Sequence, residues 1–208
     1  MAVNAKGQEI TSIWTPANVV TCVRIVFIPV FMVVASLAFE PRLHIHKLAL
    51  SVVAFVLYAL LSLTDKLDGH LARSRGEVTD FGKFLDPIAD KLLVFSALLL
   101  LLDQGYTNVW YVSIILFREF LVSALRMVAS ANGEVIAADT LGKWKTACTM
   151  VSLCGFYLAF CFESQVALTP VYGVLFVLSQ VLLFAAVVLT VVSGAQYFRN
   201  ARNIIFRV

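Results

Sequence analysis

The sequence predicts an all-α integral membrane protein, and three observations support that fold class. Of the 208 residues, 61% are hydrophobic and only 14% are charged, which is more apolar than a soluble domain of this length requires. Apolar runs of about 20 residues, the length that crosses a bilayer as a helix, recur along the whole chain. The connections between these runs are short, so no second soluble domain is expected.

Six transmembrane helices are predicted, one from each apolar run. They cover residues 18–39, 47–67, 81–102, 106–128, 142–162 and 170–198. Residues 1–17 are expected to form a short cytoplasmic or interfacial segment in which Pro16 starts a helix, and residues 199–208 a basic cytoplasmic tail. The last apolar run is longer than a bilayer requires, so that helix is expected to tilt or to project beyond the membrane.

The third and fourth predicted spans carry several charged residues within their length. In chain order these are Lys83, Asp86, Asp90, Lys91, Arg118, Glu119 and Arg126. A charged side chain at the centre of a transmembrane helix costs about 2.5–3.5 kcal/mol on the insertion scale. Such a set needs partners, a water-filled cavity or a place near the interface, and we expect a polar cavity among the helices.

Lysine and arginine predict the orientation of the chain. They cluster around the second connection, around the fourth and in the tail: Lys66, Arg73, Arg75, Lys83, Lys91, Arg126, Lys143, Lys145, Arg199, Arg202 and Arg207. The third and fifth connections have none, so both termini and the polar cavity are predicted to face the cytoplasm. The formal net charge of +3 is too small to suggest a nucleic-acid partner.

Four carboxylates stand where the second span ends and the third begins, in the stretch "TDKLDGHLARSRGEVTDFGKFLDPIADK". Asp65 and Asp68 are three residues apart, and Asp86 and Asp90 are four apart. Either spacing places both side chains on one face of a helix. Because the two helices run antiparallel through a short connection, the two pairs can face each other.

Converging carboxylates in a poorly solvated place either take up protons or bind cations. Oxygen ligands without His or Cys favour hard ions such as Mg²⁺, Mn²⁺ or Ca²⁺ over zinc. Four such groups suit a pair of divalent ions, which clamp the attacking and leaving oxygens of a phosphoryl transfer. Gly69 and Gly82 flank the pairs and permit close approach of a ligand or a backbone, and Arg73 could reach a phosphate.

The stretch resembles the signature of the CDP-alcohol phosphotransferase family, an Asp-x2-Asp-Gly-x2-Ala-Arg-x8-Gly-x3-Asp-x3-Asp pattern. The eight matching positions are Asp65, Asp68, Gly69, Ala72, Arg73, Gly82, Asp86 and Asp90. The resemblance implies transfer of a phosphatidyl group from CDP-diacylglycerol to an alcohol with release of CMP. It further implies two Mg²⁺ or Mn²⁺ ions on the four aspartates, Asp90 as the base, and Gly69, Arg73 and Gly82 at the CDP-diacylglycerol site.

Two further stretches bear on the acceptor alcohol. "FREFLVSALRMV" places Arg118 and Arg126 on roughly one side of the fourth span, and "DTLGKWKTA" places Lys143 and Lys145 at the N-terminal end of the fifth, where helix dipoles favour anions. Together they suggest an acceptor that carries its own phosphate. The lysines also fit membrane anchoring, and Arg118 also fits a pair with a nearby carboxylate.

Residues 18–150 look like the branch of the family that uses glycerol 3-phosphate, and the last span is generic. A cardiolipin synthase-type transfer to phosphatidylglycerol is the nearest alternative, and a cation transporter or a prenyltransferase are alternatives of other classes. Asn18, Thr21 and Arg24 give the first span one polar face, which fits either the nucleotide site or an N-cap at Asn18 with a snorkelling Arg24. The localisation expected is the bacterial inner membrane, and spare apolar helix faces would allow a homodimer.

Overall fold

The structure is a computed structural model that describes residues 14–75, 79–131 and 140–205. The side chains of residues 17, 41, 44, 65–75, 80, 83, 128, 130, 131 and 201–205 lie outside that description. Every regular element in the described residues is helical, which confirms the predicted all-α class. The six long helices are α1 (Pro16–Phe39), α2 (Lys47–Arg75), α3 (Asp80–Asp103), α4 (Val109–Ala131), α5 (Thr140–Glu163) and α6 (Thr169–Ile205), with short 3₁₀ turns at Pro41–His46 and Val166–Leu168.

Three helices begin at a side-chain cap that the sequence encodes. Thr15, Thr79 and Asn108 precede α1, α3 and α4, and the side-chain oxygen of each accepts a hydrogen bond from the backbone N–H three residues on. Each cap satisfies one of the amides that a helix start leaves without a partner. Pro16 occupies the first turn of α1, where its missing N–H costs nothing. Helix α3 ends in a turn at Gly105, whose φ of 74° favours glycine.

Four helical stretches among the described residues are long and apolar enough to cross a membrane. They are Asn18–Phe39, Lys47–Thr64, Thr140–Glu163 and Val166–Asn200. Helices α3 and α4 have the length of a span but carry the charged residues noted above. The chain is therefore an integral membrane protein by length and composition of its helices, with its charges concentrated on two of them.

The core draws on all six long helices, and aromatic side chains form its centre. The ring of Tyr157 packs on Phe31 and Tyr58, with centroids 5.1 and 5.3 Å apart. Near the C-terminal ends of α1 and α5, the rings of Phe39 and Tyr106 pack on Phe160. Large apolar residues elsewhere on α1, α2 and α6 point outward and are exposed, as expected of surfaces that face lipid.

The first, third and fifth connections meet at one end of the bundle. Lys47 at the start of α2 forms a 3.2 Å ion pair with Glu163 at the end of α5. Tyr106, between α3 and α4, donates to Glu163 at 3.5 Å, and its backbone oxygen accepts from Gln180 Nε2 at 2.7 Å. The chain therefore runs alternately up and down, so that α2 and α4 end, and α3 and α5 begin, at the opposite end.

Two helices extend further than the hydropathy of the sequence predicts. Helix α2 continues to Arg75 rather than ending near residue 67, and α6 continues to Ile205, into the stretch assigned to a tail. The prediction ended each span where the apolar run ended. A helix continues through polar residues because its backbone hydrogen bonds are internal, and Lys, Arg and Ala are good helix formers.

Helices α5 and α6 form the most extensive helix pair, and a glycine makes their close approach possible. A Cβ added at Gly155 would overlap Ser179 Oγ. On the neighbouring turn, Ser152 Oγ donates to the Ser179 backbone oxygen at 2.7 Å. Small and hydroxyl side chains at such a crossing are typical of helix packing in membranes.

We expect Gly155→Leu to destabilise the protein by about 1–3 kcal/mol, because the added side chain overpacks the α5–α6 contact. Thermal unfolding of the detergent-solubilised protein measures the effect. Gly173→Leu on α6 is the matched control, since a Cβ there meets nothing within 4 Å. An equal loss of stability in both variants would contradict the proposed role of Gly155.

Candidate active site

A cavity of about 840 Å³ opens between α3, α4 and α5. It exists because α4 packs on α6 and less on α3, while the described backbones of α4 and α5 stay further apart and the two helices meet through side chains. Its described lining residues are Phe84, Pro87, Ile88, Asp90 and Lys91 of α3; Arg118, Glu119, Val122, Ser123, Arg126 and Met127 of α4; Gly142, Lys143, Thr146, Ala147, Met150 and Val151 of α5; and Tyr197 of α6. Polar and apolar groups thus share one space.

The predicted aspartates lie near the facing ends of α2 and α3. Asp90 lines the cavity, whereas Asp86, one turn earlier on α3, accepts a 2.9 Å hydrogen bond from Thr21 Oγ1 of α1. The backbone places Asp65 and Asp68 near the C-terminal end of α2, which residues 76–78 join to Thr79. Their side chains lie outside the described residues, so the convergence of all four carboxylates stays a prediction.

The polar face of α1 turns inward and packs on the start of α3. Asn18 Nδ2 donates to Thr79 Oγ1 at 2.7 Å, and a Cβ added at Gly82 would lie 2.5 Å from Asn18 Oδ1. Arg24 is only 1% exposed. The alternative reading, an N-cap at Asn18 with a snorkelling Arg24, is therefore wrong, because Thr15 caps α1 and Arg24 is buried. Gly82 is needed for close packing against α1, a constraint the sequence does not reveal.

The two arginines of α4 line the cavity and are held from α6. Arg118 Nη2 donates to Ser193 Oγ at 3.2 Å. Arg126 Nε donates to the buried Tyr197 hydroxyl at 3.3 Å, and the guanidinium lies 5.7 Å from the centre of the tyrosine ring, within cation–π range. Both contacts join residues more than seventy positions apart, so no local sequence pattern points to them.

Glu119 lies at the centre of the basic groups. Arg118 Nη1 donates to its Oε1 at 3.1 Å, and the buried Lys145 Nζ forms an ion pair with the same oxygen. The alternative reading of Arg118, a pair with a nearby carboxylate, is thus present in the structure. Lys145 is 4% exposed and borders a small second cavity with Asp90 and Glu119, whereas Lys143 is exposed to the main cavity.

Positive charge predominates around the two cavities. Among the described side chains, five cationic groups and two carboxylates line them, a surplus of three positive charges when all are ionised: Lys91, Arg118, Arg126, Lys143 and Lys145 against Asp90 and Glu119. Lys91 Nζ donates to Ser123 Oγ, which in turn donates to the Glu119 backbone oxygen at 2.7 Å. This balance among the described side chains favours an anionic ligand.

The acidic end of α3 fits a divalent cation by its donor chemistry. Asp86 and Asp90 present carboxylates one turn apart, and the hydrogen bond from Thr21 orients one of them. Among the described side chains no group of three or more His, Cys, Asp or Glu comes together. The further carboxylates that a two-ion site would need, Asp65 and Asp68, lie outside that set.

The fold defines a helical membrane protein with a basic cavity near one end of its bundle, and comparison with known proteins gives its class. This chain belongs to the CDP-alcohol phosphatidyltransferase family, whose family model matches residues 14–192. It is therefore an enzyme of that family, which sets aside the cation transporter and the prenyltransferase.

Curated relatives cover most of the chain. The chain is 39% identical over 185 residues to the CDP-diacylglycerol–glycerol-3-phosphate 3-phosphatidyltransferase of Bacillus subtilis, covering 87% of this chain and 92% of the relative. A probable phosphatidylglycerophosphate synthase of Mycobacterium tuberculosis is 38% identical, with 89% and 80% covered. A Haemophilus influenzae protein with the same name as the first relative is 33% identical, with 88% and 91% covered.

We expect Glu119 and Lys145 to be energetically coupled, because removal of Glu119 leaves the buried ammonium of Lys145 without its carboxylate. In a double-mutant cycle with Glu119→Gln and Lys145→Met, the coupling should be roughly 1 kcal/mol or more. Thermal unfolding in detergent supplies the four stabilities.

The more exposed pair Lys47–Glu163 is the matched control for that cycle, with side chains 21% and 24% exposed. Its coupling should stay below about 1 kcal/mol, because solvent screens the charges. Strictly additive effects of Glu119→Gln and Lys145→Met would show that the pair does not hold α4 against α5.

Proposed function

We propose that this chain transfers the phosphatidyl group of CDP-diacylglycerol to glycerol 3-phosphate, giving phosphatidylglycerophosphate and CMP in phosphatidylglycerol and cardiolipin biosynthesis. The observation that carries the proposal is the cavity in which Asp90 lies among Arg118, Arg126 and Lys143. It offers an acid–base group beside cations suited to an acceptor that carries a phosphate. The names of the relatives, which state this reaction, support it.

In the membrane the six helices all span, and the cavity, the connections on its side and both termini face the cytoplasm of a bacterial inner membrane. The distribution of Lys and Arg supports this orientation. Three exposed tryptophans support this placement, because tryptophan is enriched at the two membrane–water interfaces. Trp14 and Trp144 lie near the cavity end of α1 and α5, and Trp110 lies near the opposite end of the bundle, at the start of α4.

In the reaction, the acceptor hydroxyl attacks the phosphorus that bears the diacylglycerol. A bond forms between that phosphorus and the acceptor oxygen, the bond to the CMP oxygen breaks, and the hydroxyl proton passes to Asp90. Asp90 can serve as this base because its carboxylate lines the same cavity as the groups proposed to bind the acceptor. Lys91, adjacent to Asp90, is held by Ser123.

Members of the family generally depend on a divalent metal ion. Asp86 and Asp90, with Asp65 and Asp68 of α2, would hold two ions, Mg²⁺ or Mn²⁺. When bound, such ions neutralise the diphosphate oxygens and make CMP a better leaving group. Thr21 keeps Asp86 oriented for this role, and Gly69, Arg73 and Gly82 at the same helix ends would line the CDP-diacylglycerol site.

The acceptor phosphate is bound by Arg118, Arg126 and Lys143. Lys145 contributes through Glu119, which it neutralises, so that the carboxylate does not repel the incoming phosphate. Because Arg118 shares the same carboxylate, its guanidinium is anchored and keeps N–H groups for a ligand. Apolar cavity residues such as Phe84 and Met127 suit the lipid portion of the donor.

An acceptor screen tests the proposed reaction. Purified protein, CDP-diacylglycerol and Mg²⁺ are incubated with glycerol 3-phosphate, phosphatidylglycerol, inositol phosphate or serine, and CMP release is followed. We expect release with glycerol 3-phosphate, and its loss in a folded Asp90→Asn variant because the base is gone. Release with phosphatidylglycerol alone would instead favour the cardiolipin synthase-type transfer, and near wild-type turnover by Asp90→Asn would end the assignment of Asp90.

Lys143→Ala should raise the KM for glycerol 3-phosphate by about tenfold, the effect of losing one charge-assisted hydrogen bond. The KM for CDP-diacylglycerol should change little. Lys47→Ala, which removes a lysine at the opposite end of the bundle, is the control and should change neither constant. A change confined to the lipid substrate would contradict the acceptor role of Lys143.

A further inference from the structure

The side chain of Arg118 lies in a slot formed by the two helices that face α4. A Cβ added at Gly194 of α6 would lie 3.2 Å from Arg118 Cγ, and one added at Gly142 of α5 would lie 3.3 Å from Arg118 Nη2. Both distances are shorter than ordinary van der Waals contact for carbon. The two glycines therefore clear the space through which the arginine reaches the cavity, and we call Gly142, Ser193 and Gly194 the arginine slot.

Hydrogen bonds complete the slot at the guanidinium. Ser193 Oγ accepts from Arg118 Nη2 at 3.2 Å, and Glu119 accepts from Nη1 at 3.1 Å. Ser193 is fully buried, and its hydroxyl is tied to its own helix by a 3.3 Å hydrogen bond to the Thr190 oxygen. The acceptor that faces Arg118 is thus itself fixed.

One nitrogen of the Arg118 guanidinium remains without a hydrogen-bond partner among the described residues. Its Nε is buried and has no acceptor among the described residues. Arg118 lines the cavity, and its side chain is only 13% exposed. A buried donor without an acceptor is costly, and a phosphate that accepts from one edge of a guanidinium would satisfy it.

We infer that Ser193 and Gly194 of α6, together with Gly142 of α5, are positioning residues that hold Arg118 in the conformation that binds the acceptor's phosphate. The inference rests on the proposed function and extends it, since it gives the last helix a part in acceptor recognition. A long, flexible side chain loses much rotational freedom when it binds a ligand, and the slot removes that freedom beforehand. Arg118 itself touches the ligand, whereas the slot residues act through Arg118.

Gly194→Ala and Ser193→Ala test the inference by kinetics. Each should raise the KM for glycerol 3-phosphate by roughly five- to tenfold, as expected when one charge-assisted contact is misplaced. The kcat and the KM for CDP-diacylglycerol should stay within about twofold, because the donor contacts are unchanged. The matched control is Gly173→Ala on the same helix, where a Cβ meets nothing within 4 Å and no constant should change.

The unfolding temperatures of the Gly194 and Ser193 variants distinguish a positioning role of these residues from a merely structural one. Alanine is a better helix former than glycine, so Gly194→Ala should unfold at the same temperature as the wild type or higher. An unchanged KM for glycerol 3-phosphate in both variants would overturn the inference. A fall in kcat with both KM values altered and a lower unfolding temperature would also overturn it, because the residues would then only support the fold.

Binding of inorganic phosphate keeps this test independent of the acceptor. Phosphate should raise the unfolding temperature of the wild type, and should do so less for Gly194→Ala but equally for Gly173→Ala. If the acceptor screen shows that glycerol 3-phosphate is not used, the proposed function fails, yet a reduced phosphate shift still supports the slot. An equal phosphate shift in wild type and Gly194→Ala overturns the slot whichever acceptor is used.

Discussion

The site depends on one half-buried carboxylate, that of Glu119. The described backbones of α4 and α5 stay further apart, and the ion pair of Glu119 with Lys145 connects the two helices across the back of the cavity. The same oxygen accepts from Arg118. This negative charge offsets the mutual repulsion of the cations that surround it. The cavity can therefore be strongly basic and still belong to a stable bundle.

The second requirement is a helix longer than the membrane needs. Helix α6 runs from Thr169 to Ile205, and the turns beyond its first 20 or so residues, the length that crosses a bilayer, lie against α4. There Ser193 and Tyr197 contact Arg118 and Arg126. A helix that appears generic by hydropathy thus determines where two arginines point. Such an arrangement is common in enzymes, where residues that do not contact the ligand hold the ligand-binding side chains in position.

Several features could be predicted because they depend on local chemistry. The six helices follow from apolar runs, the start of α1 at Pro16 follows from helix geometry, and the carboxylate spacing follows from the 3.6-residue turn. Others could not. The burial of Arg24, the inward turn of Asn18 and the pairing of Lys145 depend on which helix lies opposite. The hydropathy pattern of one span assigns such residues to the membrane interface, because it contains no information about the helices packed against that span.

By itself the sequence determined the class of protein, the placement of charge at one end of the helices and the resemblance to a phosphatidyltransferase family, since composition and fixed spacing are properties of the chain alone. The tertiary structure alone decided that α4 packs on α6 rather than α5, which opens the cavity, and that Gly142 and Gly194 admit Arg118 into it. These outcomes depend on the shapes of surfaces far apart in the chain. Close packing selects among arrangements that composition leaves equivalent.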